Sequence, residues 1–235
     1  MVTSRAALLA VGLALGLTAR ASAQAQAPLT LPPPDERPRV SGVVFDVRGL
    51  MAALPTGDGW VPAVLEGPTL PGRGFGGEVG GHVYVASLGP MRIGLGASAG
   101  TAGRSASPDS PRDGATPTPL QAAGLTVATR VRYVAPQLSL NFGHSRGWSY
   151  VSGGYGLSQS RSEATATDGW PAQVVETDWG RAINVGFGAR WMTRRHLGLS
   201  VDLRWHRVPG GAATGAASAR AGATLLNMAV GVALR

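Results

Sequence analysis

The sequence predicts an all-β fold, an eight-stranded antiparallel up-and-down transmembrane β-barrel, and three observations lead to this prediction. From Val40 onward apolar and polar residues alternate with a period of two, in stretches of about ten residues. The connections between the stretches are alternately long and short. In the clearest stretches the charged residues share one row with glycines, while the other row is apolar.

The composition excludes several other classes of protein. Of 235 residues, 14% are charged and 44% are hydrophobic, whereas soluble domains carry about a quarter charged residues. This composition argues against disorder, and the 35 glycines argue against a helical bundle, because glycine destabilises a helix interior. The chain has no cysteine, which excludes disulfides, cysteine-ligated zinc and a thiol nucleophile.

The positive charge does not indicate a nucleic-acid partner. All basic residues are arginine and the formal net charge is +8, but no basic run is longer than Arg194-Arg195. A nucleic-acid footprint requires a basic patch or stripe. We therefore expect no nucleic acid among the partners.

The first residues predict export. Met1 to Arg5 is a short positive segment, residues 6–17 are apolar, and Ala21-Ser22-Ala23 is a small-residue cleavage site. These are the three parts of a secretory signal, and the apolar part is too short to span a bilayer. We predict a signal peptide over residues 1–23, a Pro-rich periplasmic leader over 24–39 and a barrel in the outer membrane over 40–235.

The eight stretches and their connections define the barrel in chain order. The stretches are Val40–Leu54, Gly76–Leu88, Arg92–Arg104, Leu125–Gly143, Trp148–Glu163, Trp179–Thr193, Leu197–Val208 and Ala223–Arg235. Antiparallel strands joined by alternately short and long connections are typical of outer-membrane barrels, with short periplasmic turns and longer external loops. An even number of strands then places both termini in the periplasm and four long loops outside.

The fourth stretch departs from simple alternation. Val131 and Tyr133 alternate in one phase, whereas Leu138 and Leu140 alternate in the other. Because proline cannot donate to a strand ladder, we predict a β-bulge at Pro136.

The two rows differ in the solvent that each one faces. In the sixth stretch Val185 and Phe187 belong to an apolar row, whereas Gly186, Gly188 and Arg190 belong to the other. A narrow eight-stranded barrel must mix small residues with its polar interior ones, whereas a water-facing row gains nothing from glycine. We therefore place the charged row in the lumen and the apolar row against lipid. The alternative is a soluble exported ligand-binding barrel with the apolar row inside.

Two groups of candidate residues follow from this assignment. Charges in a narrow lumen need partners, so we predict a structural charge network of Asp46, Arg48, Glu78, Arg92, Arg190, Asp202 and Arg204. Aromatic side chains near strand ends predict an interfacial girdle of Trp148, Tyr150, Trp179, Trp191 and Trp205.

Two segments of the second half carry a family resemblance. Residues 148–161, WSYVSGGYGLSQSR, resemble the "PYvgaGlGy" strand of the outer-membrane beta-barrel domain family. Residues 182–191 and 197–205 resemble the closing pattern of that family, "nvGgGvryw…lglrlelRyy". These are small eight-stranded barrels related to the N-terminal domain of outer-membrane protein A, and the first half matches them by topology alone. The resemblance implies a mostly non-enzymatic barrel and transfers no catalytic residue.

One departure from that family lies at the end of the chain. The family commonly ends in an aromatic residue that the barrel insertion machinery reads, whereas this sequence ends in Leu234-Arg235.

Enzymatic and metal-dependent functions have little support in the sequence. His144-Ser145 with a distant carboxylate could form a lipid A deacylase-like esterase, but the topology places both residues at a periplasmic turn. His82 and His206 lie in inward rows without close pairing, which is a poor metal pattern. We expect no enzyme activity, no cofactor and no metal. The expected role is structural or surface-interacting, with membrane lipid, lipopolysaccharide, the insertion machinery and an external partner of the loops as partners.

Overall fold

The computed structural model describes residues 40, 42–55, 60, 72–106, 124–166, 173–208, 210 and 222–235. The predicted signal peptide (1–23) and leader (24–39) lie outside the described residues. Parts of all four long connections, residues 56–59, 61–71, 107–123, 167–172, 209 and 211–221, also lie outside them. Within the described residues, no helix is long and apolar enough to cross a membrane.

Nine strands follow one another along the chain. They are β1 (Val43–Ala53), β2 (Arg73–Leu88), β3 (Met91–Ala106), β4 (Leu125–His144), β5 (Gly147–Ala166), β6 (Gln173–Glu176), β7 (Gly180–Met192), β8 (Leu197–Val208) and β9 (Ala223–Leu234). Eight of them coincide with the predicted stretches to within a few residues.

Eight of the strands close into a ring. Each pairs antiparallel with its neighbours in the order β1, β2, β3, β4, β5, β7, β8, β9, and β9 returns to β1 along Phe45↔Leu234 to Ala52↔Asn227. The predicted eight-stranded antiparallel barrel is confirmed. The short β6 was not predicted; it pairs only with residues 161–164 of β5 and lies outside the ring.

The two ends of the barrel are different. The connections β2–β3, β4–β5 and β7–β8 take two to four residues. In the first of them Gly89 adopts a positive φ of 58°, which other residues rarely adopt. We call this the short-turn end, where β1 also begins and β9 ends. The four long connections join the strands at the opposite end, which we call the long-connection end.

The side-chain rows alternate as the period-two pattern predicts. Phe45 and Val230 are 59% and 63% exposed on the outside of the barrel, whereas Asp46 and Arg190 are 1% and 0% exposed in the lumen. The interpretation as a soluble barrel with the apolar row inside is therefore wrong, because its ligand cavity would need these apolar side chains in the lumen.

The predicted bulge at Pro136 is wrong. The β3–β4 register runs without a shift from Met91↔Phe142 through Ala97↔Pro136 to Ala106↔Val127. The apparent change of phase is a change of environment along one strand. Near the long-connection end of β4 the inward row is apolar, whereas farther along the strand the apolar residues belong to the outward row. The register shift instead lies in β2, between Tyr84 and Ala86.

Candidate functional site

Six buried charged side chains meet in the middle of the lumen. We call them the charged layer: Asp46 and Arg48 from β1, Glu78 from β2, Arg190 from β7, and Asp202 and Arg204 from β8. They come from four strands because each occupies an inward position of its own strand. Three carboxylates face three guanidinium groups, so the formal charges within the layer cancel.

Two ion pairs are made by several contacts each. The Arg190 guanidinium donates to Asp46 through Nε at 3.0 Å and Nη2 at 2.5 Å, joining β7 to β1 across the lumen. Arg204 donates to Asp202 through Nε at 3.1 Å and Nη2 at 3.0 Å. Such multiple contacts between a guanidinium and a carboxylate are stronger and more directional than single hydrogen bonds.

Arg48 connects all three carboxylates. Its Nη1 lies 2.9 Å from Glu78 Oε1 and 3.5 Å from Asp202 Oδ2, and its Nη2 lies 3.1 Å from Asp46 Oδ2. Each carboxylate of the charged layer thus has at least one arginine within salt-bridge distance. The layer is one connected network and not three separate pairs.

Neutral polar groups add hydrogen bonds to the network. Tyr133 Oη donates to Glu78, and Tyr150 Oη donates to Asp202 Oδ2 at 2.7 Å. Arg204 also donates to Asn184 Oδ1 at 2.6 Å. These contacts reduce the cost of burying the charges, while the buried Arg48 Nε has no hydrogen-bond partner.

Two of the five residues predicted for the aromatic girdle lie in the lumen. Trp148 and Tyr150 are 3% and 1% exposed; Trp148 Nε1 donates to Tyr84 Oη, and the Arg190 guanidinium lies 4.3 Å from the centre of the Tyr150 ring. The girdle prediction is wrong for both, because it used closeness to a strand end and ignored that both share the inward row with Gly154. The other three members, Trp179, Trp191 and Trp205, are exposed on the outside.

Arg92 does not join the predicted charge network. It lies near the short-turn end of β3, where its Nη1 donates to Ser87 Oγ at 2.6 Å. The position of this arginine along the strand separates it from the charged layer.

Apolar clusters close the lumen on both sides of the charged layer. Val40, Val44, Tyr84, Trp148 and Ala233 pack together at the short-turn end. Leu54, Trp60, Val131, Val208 and Leu225 pack together at the long-connection end. A lumen cavity beside Tyr133 and His206 has a volume of about 10 Å³, the size of a single water molecule. The described part of the lumen is filled.

The structure places the candidate catalytic and metal-binding residues at separate positions. His144 is exposed at the β4–β5 turn, and the neighbouring Ser145 carbonyl accepts a hydrogen bond from Arg235. His206 packs against the Tyr133 ring at 4.4 Å between ring centres. Among the described residues, no group of three or more histidine, aspartate or glutamate side chains is placed to hold a metal ion.

A second group of charged residues was missed by the sequence analysis. Arginines occupy the outward rows near the long-connection end: Arg73, Arg130, Arg132, Arg161, Arg181 and Arg207. The available signal was the outward row of β4, which continues from Leu138 back through Pro136 and Val134 to Arg132. The predicted bulge at Pro136 breaks that row, so the sequence analysis did not place Arg132 in the same row as Leu138.

Comparison with known proteins finds similarity of structure only. No protein-family model matches the sequence, and no curated protein matches it. The chain is similar in structure to Neisserial surface protein A, at 10% identity and a TM-score of 0.47, over 83% of this chain and 97% of that one. It is also similar to Ail, the attachment invasion locus protein of Yersinia pestis, at 8% identity and a TM-score of 0.48, over 83% and 99%. A third similar structure is the outer membrane protease OmpT from Escherichia coli, at 10% identity and a TM-score of 0.44, over 82% of this chain and 96% of that one.

Proposed function

We propose that this chain is an integral outer-membrane protein, similar in kind to the small barrels related to outer-membrane protein A. Its closed and filled barrel anchors four long connections at the cell surface. The role is structural or surface-interacting, without an enzymatic step.

The observation that carries this proposal is an apolar band around the outside of the closed barrel. Its members are exposed on all eight ring strands: Phe45, Val47, Phe75, Val79, Leu95, Leu138, Val151, Ile183, Val185, Leu199, Val230 and Val232. Soluble monomers rarely expose contiguous apolar patches larger than a few hundred Å². A band that surrounds the molecule while its charges lie inside fits a hydrocarbon solvent.

The orientation of the barrel follows from its connections. Outer-membrane barrels place short turns in the periplasm and long loops outside. The short-turn end is therefore assigned to the periplasm, and the long-connection end to the outer surface. The predicted signal peptide supplies the export that this location requires.

The filled lumen supports an anchor over a diffusion pore. The interior of an eight-stranded barrel is narrow enough for side chains to fill it, and here charged and apolar layers occupy that space.

A lipid-modifying enzyme is the second candidate, motivated by His144 and Ser145. The exposed position of His144 at the short-turn end gives it no enclosed pocket. Incubation of the purified protein with lipid A, followed by mass analysis of the lipid, tests this candidate. Release of an acyl chain would support the enzyme and contradict the non-enzymatic role.

Fractionation with a matched pair of variants tests the membrane assignment. Val185→Arg places a charge in the middle of the apolar band, at a cost of about 2–4 kcal/mol, whereas Ser149→Arg places it at the border near the short-turn end, opposite Phe142 and Ala189, at a cost of about 0–1 kcal/mol. We expect the wild type and Ser149→Arg in the outer membrane, with a gel mobility that shifts on heating. Val185→Arg should fail to insert. Recovery of the wild type in the soluble periplasmic fraction would contradict the proposal.

A further inference from the structure

Three outward arginines lie together where β4 and β5 approach the long-connection end. Arg130 stands directly opposite Arg161 in the strand register, and Arg132 stands opposite Gln159. Directly opposed residues have Cα atoms about 5 Å apart, and successive outward residues of one strand are about 7 Å apart. The three guanidinium groups can therefore reach one common point.

The positive charge of this group is only partly neutralised. Arg161 makes exposed ion pairs with Glu163 and Glu176, each at 3.1 Å. Among the described residues, no carboxylate lies within salt-bridge distance of Arg130 or Arg132. Like charges directly opposite each other destabilise a pair of strands. The arrangement therefore favours an anion that contacts both strands.

Small residues beside the arginines leave an open groove on the outer face of the barrel. Its volume is about 800 Å³, and it reaches from Phe75 on β2 across β3 and β4 to β5. Its base includes Gly76, Thr101, Gly103 and Ala128. We call this surface, with Arg130, Arg132 and Arg161, the arginine groove.

The arginine groove borders the apolar band directly. Val134 follows Arg132 in the outward row of β4, and Leu157 stands opposite Val134 on β5; both are exposed apolar residues. A lipid whose acyl chains lie along the apolar band would therefore hold its headgroup at the level of the arginines. Guanidinium groups suit this position because they bind phosphate through several hydrogen bonds at once.

We propose that the arginine groove binds a phosphate of lipid A, the lipid of the outer leaflet, with Arg130 and Arg132 as its ligands. Arg161 lies beside them and already donates to Glu163 and Glu176, which also line the groove. The proposal rests on the membrane location and orientation inferred above, which place the groove in the outer leaflet. The proposed site is a single lipid phosphate site on the barrel wall, and it is separate from any surface by which the loops bind a partner.

The test uses the full-length protein, extracted from the outer membrane into a neutral detergent, with native mass spectrometry to measure bound lipid. The probes are bisphosphorylated lipid A, the same lipid without phosphates, and inorganic phosphate as competitor. The test variant is Arg130→Gln/Arg132→Gln. The control is Arg181→Gln/Arg207→Gln, which removes the same charge at the same border but outside the groove. Mobility shift on heating verifies that each variant is folded.

We expect the groove variant to bind bisphosphorylated lipid A at least about tenfold more weakly, because charge-assisted hydrogen bonds are lost, while the control binds like the wild type. Equal weakening by both variants would show diffuse attraction and overturn the site. Equal affinity for the two lipids, or complete displacement by inorganic phosphate at a concentration equal to that of the lipid, would also overturn it. If the wild type is absent from the outer membrane, the proposed function fails; if it is inserted and only the binding results fail, the function stands without this site.

Discussion

At the scale of single residues, Arg190 shows how the lumen tolerates a fully buried charge. Its guanidinium donates three hydrogen bonds to Asp46 and lies against the Tyr150 ring. Transfer of an ion from water to a protein interior costs several kcal/mol, and a partner with good geometry offsets that cost. Loss of Arg190 therefore leaves the buried Asp46 carboxylate with Arg48 as its remaining ion-pair partner, and loss of Asp46 leaves Arg190 without an ion-pair partner among the described residues.

We predict that Arg190→Met destabilises the barrel by about 3–5 kcal/mol, because Asp46 loses its principal partner. Urea unfolding in detergent micelles, followed by tryptophan fluorescence, measures this change. Arg194→Met is the control: it removes the same charge from an exposed turn, and it should change the unfolding free energy by less than about 0.5 kcal/mol. Equal stability of the two variants would contradict the structural importance of the charged layer.

At the scale of the strands, neighbours interlock by placing a large inward side chain opposite a glycine. Tyr150 on β5 stands opposite Gly188 on β7, and Tyr133 on β4 stands opposite Gly100 on β3. A Cβ atom at Gly100 would lie 2.5 Å from the Tyr133 hydroxyl oxygen. The inward glycines therefore leave space for the tyrosine rings that donate hydrogen bonds to the charged layer. This packing explains why glycines and charges share a row.

We predict that Gly188→Ala destabilises the barrel by about 1–3 kcal/mol through overpacking. Its Cβ would lie 2.3 Å from the Val201 carbonyl oxygen and 2.5 Å from the Tyr150 hydroxyl oxygen. Gly153→Ala is the matched control on the outward row, where the new Cβ would lie 3.8 Å from the Asn184 carbonyl oxygen. The same urea titration should show Gly153→Ala within about 0.5 kcal/mol of the wild type. A destabilisation by Gly153→Ala as large as that by Gly188→Ala would refute the packing argument.

At the scale of the whole molecule, the described lumen is a stack of layers with no continuous water path. Apolar clusters lie at the short-turn end and at the long-connection end, and the charged layer lies between them. Between the charged layer and the long-connection end, a third cluster of Leu50, Ala52, Ala102, Tyr133 and Ala229 adds apolar contact. Passage of an ion would require several layers to rearrange together.

We predict that the full-length protein in a planar lipid bilayer gives no stable conductance steps, because the layers of the lumen are closed. An open barrel of larger diameter, measured in the same bilayer, is the positive control. Reproducible single-channel steps from this protein would contradict a filled lumen and favour a pore function.

The extent of the fold and the two faces of each strand follow from the sequence alone. Alternation with a period of two and connection length are local properties, and they suffice for the ring strands and for the inward position of Asp46 and Arg190. The local pattern also contained the correct face of Trp148 and Tyr150, since both share the row of Gly154. Judging these two aromatics by their closeness to the strand end led to the wrong prediction.

Only the tertiary structure decides which side chains meet. Arg190 and Asp46 are 144 residues apart in the sequence and lie on strands that are not neighbours, so their contact exists only because the ring closes. The arginine groove likewise depends on the β4–β5 register, which places Arg130 opposite Arg161. Periodicity assigns a residue to a face, but the register between strands and the closure of the ring determine its neighbours on that face.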